Sequence, residues 1–159
     1  MKASHAEISP EMQELSACIA RATMRPLPPA IAERAKIHLV DTFAAMISGS
    51  RLAPGRKAVE YVKALGGMPE ASIVGTRIIS SSLNAALANG MLAHADETDD
   101  THPSSRTHPG ACAVPAAFAI GERGGLPGTA VLRAIVLGYE ICVRLAFALL
   151  AADFGLNGG

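Results

Sequence analysis

Residues 94 to 110 read HADETDDTHPSSRTHPG, and the chemistry of this chain is concentrated there. Only 18% of the sequence is charged, yet Asp96, Glu97, Asp99 and Asp100 fall within five positions. Two Thr-His-Pro triplets follow, Thr101-His102-Pro103 and Thr107-His108-Pro109. Imidazole titrates near neutrality, and an adjacent carboxylate fixes its tautomer and raises its basicity. Threonine hydroxyls can orient a substrate oxygen or donate to a developing charge. Proline fixes φ beside each histidine, which aims the rings. The combination suits proton abstraction next to a carboxylate, followed by elimination or epimerisation. No GxSxG occurs and the cysteines lie elsewhere, so a hydrolase-type nucleophile and base are not expected.

Two other readings compete with acid–base catalysis. One is a solvated acidic loop with incidental histidines. The other is a metal site built from His94, Asp99, His102 and His108, whose ligand types suit a divalent ion. No HExxH or facial-triad spacing is present, and neither a metal nor a cofactor is expected. The acids carry a cost. At the C-terminal end of a helix each works against the macrodipole by about 0.3–1 kcal/mol. Crowded carboxylates also raise one another's pKa values.

The elements that must position this segment read as helix almost throughout, so an all-α bundle is expected. Ser9-Pro10-Glu11 supplies an N-cap, a first-turn proline and an acid at the positive helix end. That helix is predicted to bury Met12, Leu15, Ile19 and Met24 and to stop before Pro26. Pro28-Pro29 opens a second, with Ile31, Ala35, Leu39, Phe43 and Ile47 on one face and Gly49 as its close. Pro54-Gly55 reads as a turn, residues 57–65 as a third helix, and residues 71–74 as a short extended piece. Helices are predicted over 80–95, 111–122 and 129–152, with the motif an irregular loop because Pro103 and Pro109 disfavour α geometry before them. With 30 alanines and 15 glycines, helix axes should approach closely around a core of small side chains. His38 and Asp41, inside an apolar helix, read as structural; His94 fits a helix cap and a site role equally; His5 lies near the terminus.

Composition narrows the function. Fourteen basic and fourteen acidic residues balance, with no basic run, so neither nucleic acid nor an anionic membrane is an expected partner. Cys18, Cys112 and Cys142 are odd in number and lack CxxC spacing, and buried free thiols are expected. Arg133, Glu140 and Arg144 interrupt the most apolar stretch, and residues 1–16 carry no apolar targeting segment, so a soluble cytoplasmic protein is expected. Glu140 and Arg144 have ion-pair spacing on a helix. The glycines of 121–128 form no GxGxxG, which disfavours nucleotide binding. Half of the residues are hydrophobic and mean hydropathy is +0.29, more apolar surface than a free monomer of this size hides easily. A partner surface is expected.

Asn89-Gly90-Met91-Leu92-Ala93-His94-Ala95, then Asp99-Asp100-Thr101-His102-Pro103 and His108-Pro109-Gly110, resemble the signature of the MmgE/PrpD family. The resemblance runs from about Met12 to Leu150 and takes in Asp41, Gly49 and the Gly138-Tyr139-Glu140 step followed by Arg144. It implies a helical domain, completed in family members by a smaller lid domain and working as a homodimer. The implied activity is a cofactor-independent lyase or isomerase acting on small di- and tricarboxylates, as in 2-methylcitrate dehydratase, cis-aconitate decarboxylase and iminodisuccinate epimerase. Carried over by motif, the site positions fall on Glu97, Thr101 and His108. His108 is then the general acid/base and Thr101 a substrate-orienting hydroxyl. Glu97, Asp99 and Asp100 act as tuning or relay acids, with His102 beside them.

Members usually carry Asp and an aromatic where this chain has Glu97 and Thr98. They also run to several hundred residues, with further catalytic histidine, lysine and tyrosine side chains beyond the stretch matched here. Residues 1–159 are therefore expected to be a single, partial helical domain without the lid, weak or inactive alone. The expected partners are a polycarboxylate and a second copy or a complementing C-terminal chain. The rival reading is a catalytically silent module that dimerises through its apolar surface.

Overall fold

Helix boundaries follow local chemistry closely in the computed structural model, which describes residues 8–151; His5 lies outside them. The Ser9 hydroxyl accepts from the Met12 amide and Pro10 opens α1, Pro10–Met24. Pro29 opens α2, Pro29–Gly49, and α3 spans Ala53–Leu65. Pro54 and Gly55 therefore form the first turn of α3 rather than a turn before it, since a proline at a helix start forfeits no hydrogen bond. Next come β1, Ala71–Ser72, and β2, Ile79–Ser80, paired antiparallel as Ala71 with Ser80 and Ser72 with Ile79. Ser81 caps α4, Ser82–Ala93, and a 3₁₀ turn at Pro103–Ser105 leads to α5, Pro109–Gly124. The last helix, α6, is Gly128–Ala151. Helix accounts for 72% of the described residues, and the fold is all-α.

The core lies where α4 packs on α2, α3 and α5, with α6 against α5. Met46, Val62, Ile73, Leu92, Val114 and Ile135 are its largest buried apolar side chains. Small residues fill the rest, as the alanine content implies. Asn89 on α4 is fully buried yet satisfied: its Oδ1 accepts from the Val74 amide at 2.9 Å, and its Nδ2 donates to the Ser72 carbonyl at 2.9 Å. One side-chain amide thus replaces the strand neighbour that the two-residue hairpin lacks.

Several expectations fail where a helix has less cover than its sequence suggests. Met12 and Met24 are exposed, and α1 buries no residue, its main packing among the described residues being along α6. On α2 the buried stripe is Ala35, Thr42, Ala45, Met46 and Gly49, leaving Ile31 and Ile47 exposed. Asp41 is exposed as well. Cys18 and Cys112 are exposed and Cys142 half-buried, so the thiols are free but not interior. Glu140 and Arg144 do pair, at 2.5 Å. No helix among the described residues is long and apolar enough to cross a membrane.

Candidate active site

His94 caps the C-terminal end of α4, and the chain then turns sharply through Glu97, a non-glycine residue at φ +59°. Asp96 anchors this turn. It accepts from the Thr98 hydroxyl at 2.7 Å and from the Ser48 hydroxyl at the end of α2. These two bonds lower its pKa, Ser48 first, against the upward shift expected from crowding. Downstream, His108 and Pro109 bring the chain into α5, so the acids sit between the negative end of α4 and the positive end of α5. The Gly110 amide donates to Asp100 Oδ1 at 2.9 Å in that first turn. The helix start therefore offsets the repulsion expected from the helix end.

Asp99 has a fully buried side chain, and two imidazoles close over it. His94 Nδ1 lies 3.1 Å from Asp99 Oδ2 and His108 Nδ1 3.5 Å from the same oxygen. The two rings meet edge-on, centroids 5.1 Å apart. Thr101 Oγ1 stands 3.5 Å from His108 Nδ1. Glu97, largely exposed, places Oε1 3.6 Å from His94 Nε2. The profile of the MmgE/PrpD N-terminal domain matches residues 13–158, motif included. The chain belongs to the MmgE/PrpD family. No curated protein matches it. Membership places it in a dehydratase-like family.

Within this MmgE/PrpD domain the two ring nitrogens of each histidine are used differently. His94 is hydrogen-bonded to Asp99 at Nδ1, and its Nε2 faces the exposed Glu97 carboxylate at 3.6 Å, past hydrogen-bond reach. His108 is held at Nδ1, and its Nε2 has no hydrogen-bond partner among the described residues. A proton on Nδ1 directed at Asp99 leaves Nε2 as the lone-pair acceptor, the arrangement a general base needs.

The remaining motif histidine does not join this group. His102 caps the 3₁₀ turn: its Nδ1 lies 2.7 Å from the Ser105 hydroxyl and accepts from the Ser105 amide at 3.3 Å. Its amide donates to the Thr107 carbonyl, and its ring lies edge-on to Phe147. The two imidazoles, each preceding a proline that opens a helical turn, point in different directions. His102 opens onto a separate cleft of about 310 Å³ lined also by Ile31, Arg34, His38 and Tyr139.

The second acid, Asp100, serves a network that the sequence does not reveal. Tyr139 donates to its Oδ2 at 2.6 Å, and His38 Nδ1 lies 3.6 Å from the same oxygen. The His38 ring rests against Tyr139, centroids 5.0 Å apart. In the sequence His38 reads as structural, and Tyr139 enters only through the family resemblance. The available signal is the spacing of His38 and Thr42, one turn apart on the stripe that Ala35, Ala45 and Gly49 bury.

Burial, then the Asp100 carboxylate, pushes the Tyr139 phenol well above its ordinary value. A raised folded pKa adds stability that is complete below the unfolded value, about 10, and lost as pH climbs toward the folded one. Unfolding free energy should therefore fall between about pH 10 and 12, by up to about 1.4 kcal/mol per pH unit. Urea titrations of Tyr139→Phe should show a flatter decline. Equal slopes in both proteins would mean that Tyr139 is not the group responsible.

Proposed function

We propose that this domain takes part in a cofactor-independent lyase or isomerase reaction on a small di- or tricarboxylate, begun by proton abstraction next to a carboxylate. The observation that carries the reading is the buried Asp99 carboxylate 3.5 Å from Nδ1 of His108, with Thr101 Oγ1 at the same distance, while Nε2 stays open. In the proposed step Nε2 takes the proton from carbon, and the electron pair passes into the adjacent carboxylate as an enediolate. Thr101 orients a substrate oxygen. A β-hydroxyl leaving as water with a returned proton gives the dehydratase outcome, and return of a proton to the opposite face gives the epimerase outcome. In the decarboxylase outcome the enediolate is first reprotonated at an allylic carbon, then carbon dioxide leaves and the electron pair it leaves behind is protonated in turn. Asp99 lies against the His108 ring, Glu97 faces His94, and Asp100 ties the start of α5 to Tyr139. We place the enzyme in the cytoplasm, as a homodimer or with a complementing C-terminal chain. Arg106 and the imidazoles are the cations this segment itself offers a polyanion.

The test is turnover of cis-aconitate, 2-methylcitrate and iminodisuccinate by the chain and by His108→Ala, at high protein concentration. A general base contributes about 10²- to 10⁴-fold, and a loss of that order in the variant is expected. Equal background rates for both would remove the catalytic reading.

They would favour a second one, a silent helical module that assembles through apolar surface. Its support is the exposure of Ile37, Val40 and Ile47 on α2 and of Leu83, Leu87 and Met91 on α4, two apolar stripes at helical spacing.

A further inference from the structure

We propose that His94, Asp99 and His108 form a binding site for a divalent transition ion of borderline softness, of which Zn²⁺ is the probe. One donor atom from each residue lies within 4.8 Å of the other two. The two imidazole-to-carboxylate distances, 3.1 and 3.5 Å, match the edge of a tetrahedron around zinc. With metal–ligand bonds of about 2.0–2.1 Å that edge is about 3.3–3.4 Å. Local spacing carries no such indication, because a loop separates His94 from both Asp99 and His108, unlike the short intervals of a helical metal motif.

A second observation, independent of those distances, points the same way. A metal-ligating histidine characteristically donates its other ring N–H to a carboxylate, which fixes ring and tautomer. With Nδ1 of His94 on an ion, Nε2 carries the proton and faces Glu97 Oε1 at 3.6 Å, a few tenths of an ångström from the hydrogen bond that a small rotation of this exposed side chain would complete. Glu97 reaches that place from a left-handed backbone, a conformation that disfavours non-glycine residues. Charge adds a third argument. The Asp99 side chain is fully buried, and among the described residues only the two imidazoles oppose it as cations. A neutral imidazole offers a hydrogen bond, whereas a divalent ion supplies a fixed compensating charge.

Two nitrogens and one oxygen suit zinc, cobalt or nickel and not magnesium, which prefers all-oxygen coordination. Both rings are partly exposed, and Thr101 Oγ1 lies beside His108, so a fourth position opens to solvent. This inference does not rest on the catalytic reading and works against it when the site is loaded. The ion would take both Nδ1 atoms and move the His108 proton to Nε2, leaving no base there.

Calorimetric titration of the full chain with Zn²⁺ and with Mg²⁺ tests the proposal without any assay of activity. One saturable Zn²⁺ site is expected, with no comparable Mg²⁺ binding. His94→Ala and His108→Ala should each weaken Zn²⁺ at least about tenfold, and Glu97→Gln, whose exposed side chain the fold does not need, about 10- to 100-fold. Co²⁺ provides a second readout: its visible d–d bands should appear with the wild-type chain and be lost in His94→Ala, checked as folded by circular dichroism. No saturable Zn²⁺ binding below millimolar concentration would overturn the proposal. So would an unchanged affinity in the His94→Ala/His108→Ala double variant, which would place the ion elsewhere on the chain.

Discussion

If the proposed reaction on a polycarboxylate holds, Asp99→Asn is expected to lower turnover by about two to four orders of magnitude while leaving the fold in place. The substitution keeps the size and shape of the side chain. It replaces one acceptor oxygen by an NH₂ donor in a pocket where His94 and His108 both direct Nδ1 at the same oxygen. A donor at that point favours the tautomer with a bare Nδ1 and the proton on Nε2. His108 then meets the substrate with an N–H where a lone pair is required. Loss of the correct tautomer alone costs about 10⁴-fold in serine proteases, and general-base catalysis as a whole contributes about 10²- to 10⁴-fold. The loss should fall on kcat more than on KM, because Asp99 is buried and cannot itself touch the substrate. The check is steady-state kinetics together with thermal melting of both proteins. Rates within about threefold of wild type, from a variant that melts normally, would mean that Asp99 is a structural acid only.

The parts of this molecule that are legible in sequence are those in which neighbours along the chain act on one another. Ser9 with Pro10 and the Pro28-Pro29 pair set helix starts through their own hydroxyl and φ, and those starts stand where expected. The density of acids and histidines between 94 and 110 likewise marks the segment in which His94, Asp99 and His108 come together. What stays hidden depends on elements meeting across the fold. Asp100 finds its partners at Gly110 and at Tyr139 on α6, and no local pattern encodes the second of these. The same holds for His102 and His108. Both sit in Thr-His-Pro, yet one caps a 3₁₀ turn while the other caps α5 beside Asp99. Identical triplets diverge because Ser105 lies three residues after His102 and supplies it with a local partner. Strand β2 leaves no trace in the pattern, since two residues are too short to show any period. The thiols depart from expectation for a different reason: an apolar neighbourhood in sequence does not bury a side chain on the outward face of its helix.

Gly49→Ala should destabilise the domain by about 3 kcal/mol or more, although a glycine at a helix end is ordinarily an easy site for alanine. Sequence marks Gly49 as a helix terminator. The structure gives it a different task. A Cβ there would overlap the carbonyl oxygen of Leu92, with the carbonyl carbon at 2.9 Å and the Ala95 Cβ at 3.0 Å. These are atoms at the end of α4, mostly backbone, and they cannot rotate away as a flexible side chain would. Gly55, in the first turn of α3, is caught in the same junction, where a Cβ would crowd the Gly49 carbonyl and meet Leu92 Cδ2 at 2.8 Å. Relief therefore requires α2 and α4 to separate, opening the core around Leu92 and Met46. For a chain of this size about 3 kcal/mol corresponds to a fall in Tm of roughly 6–12 °C. Gly128→Ala provides the control, since a Cβ there meets nothing within 4 Å among the described residues, and its Tm should stay within about 2 °C of wild type. The consequence reaches the site, because Leu92 is two residues from His94, and a shifted α4 end carries that ring away from Asp99. Zn²⁺ affinity and melting temperature should therefore decline together in Gly49→Ala. A variant that melts within about 2 °C of wild type would show that α2 and α4 do not approach as closely as their glycines imply.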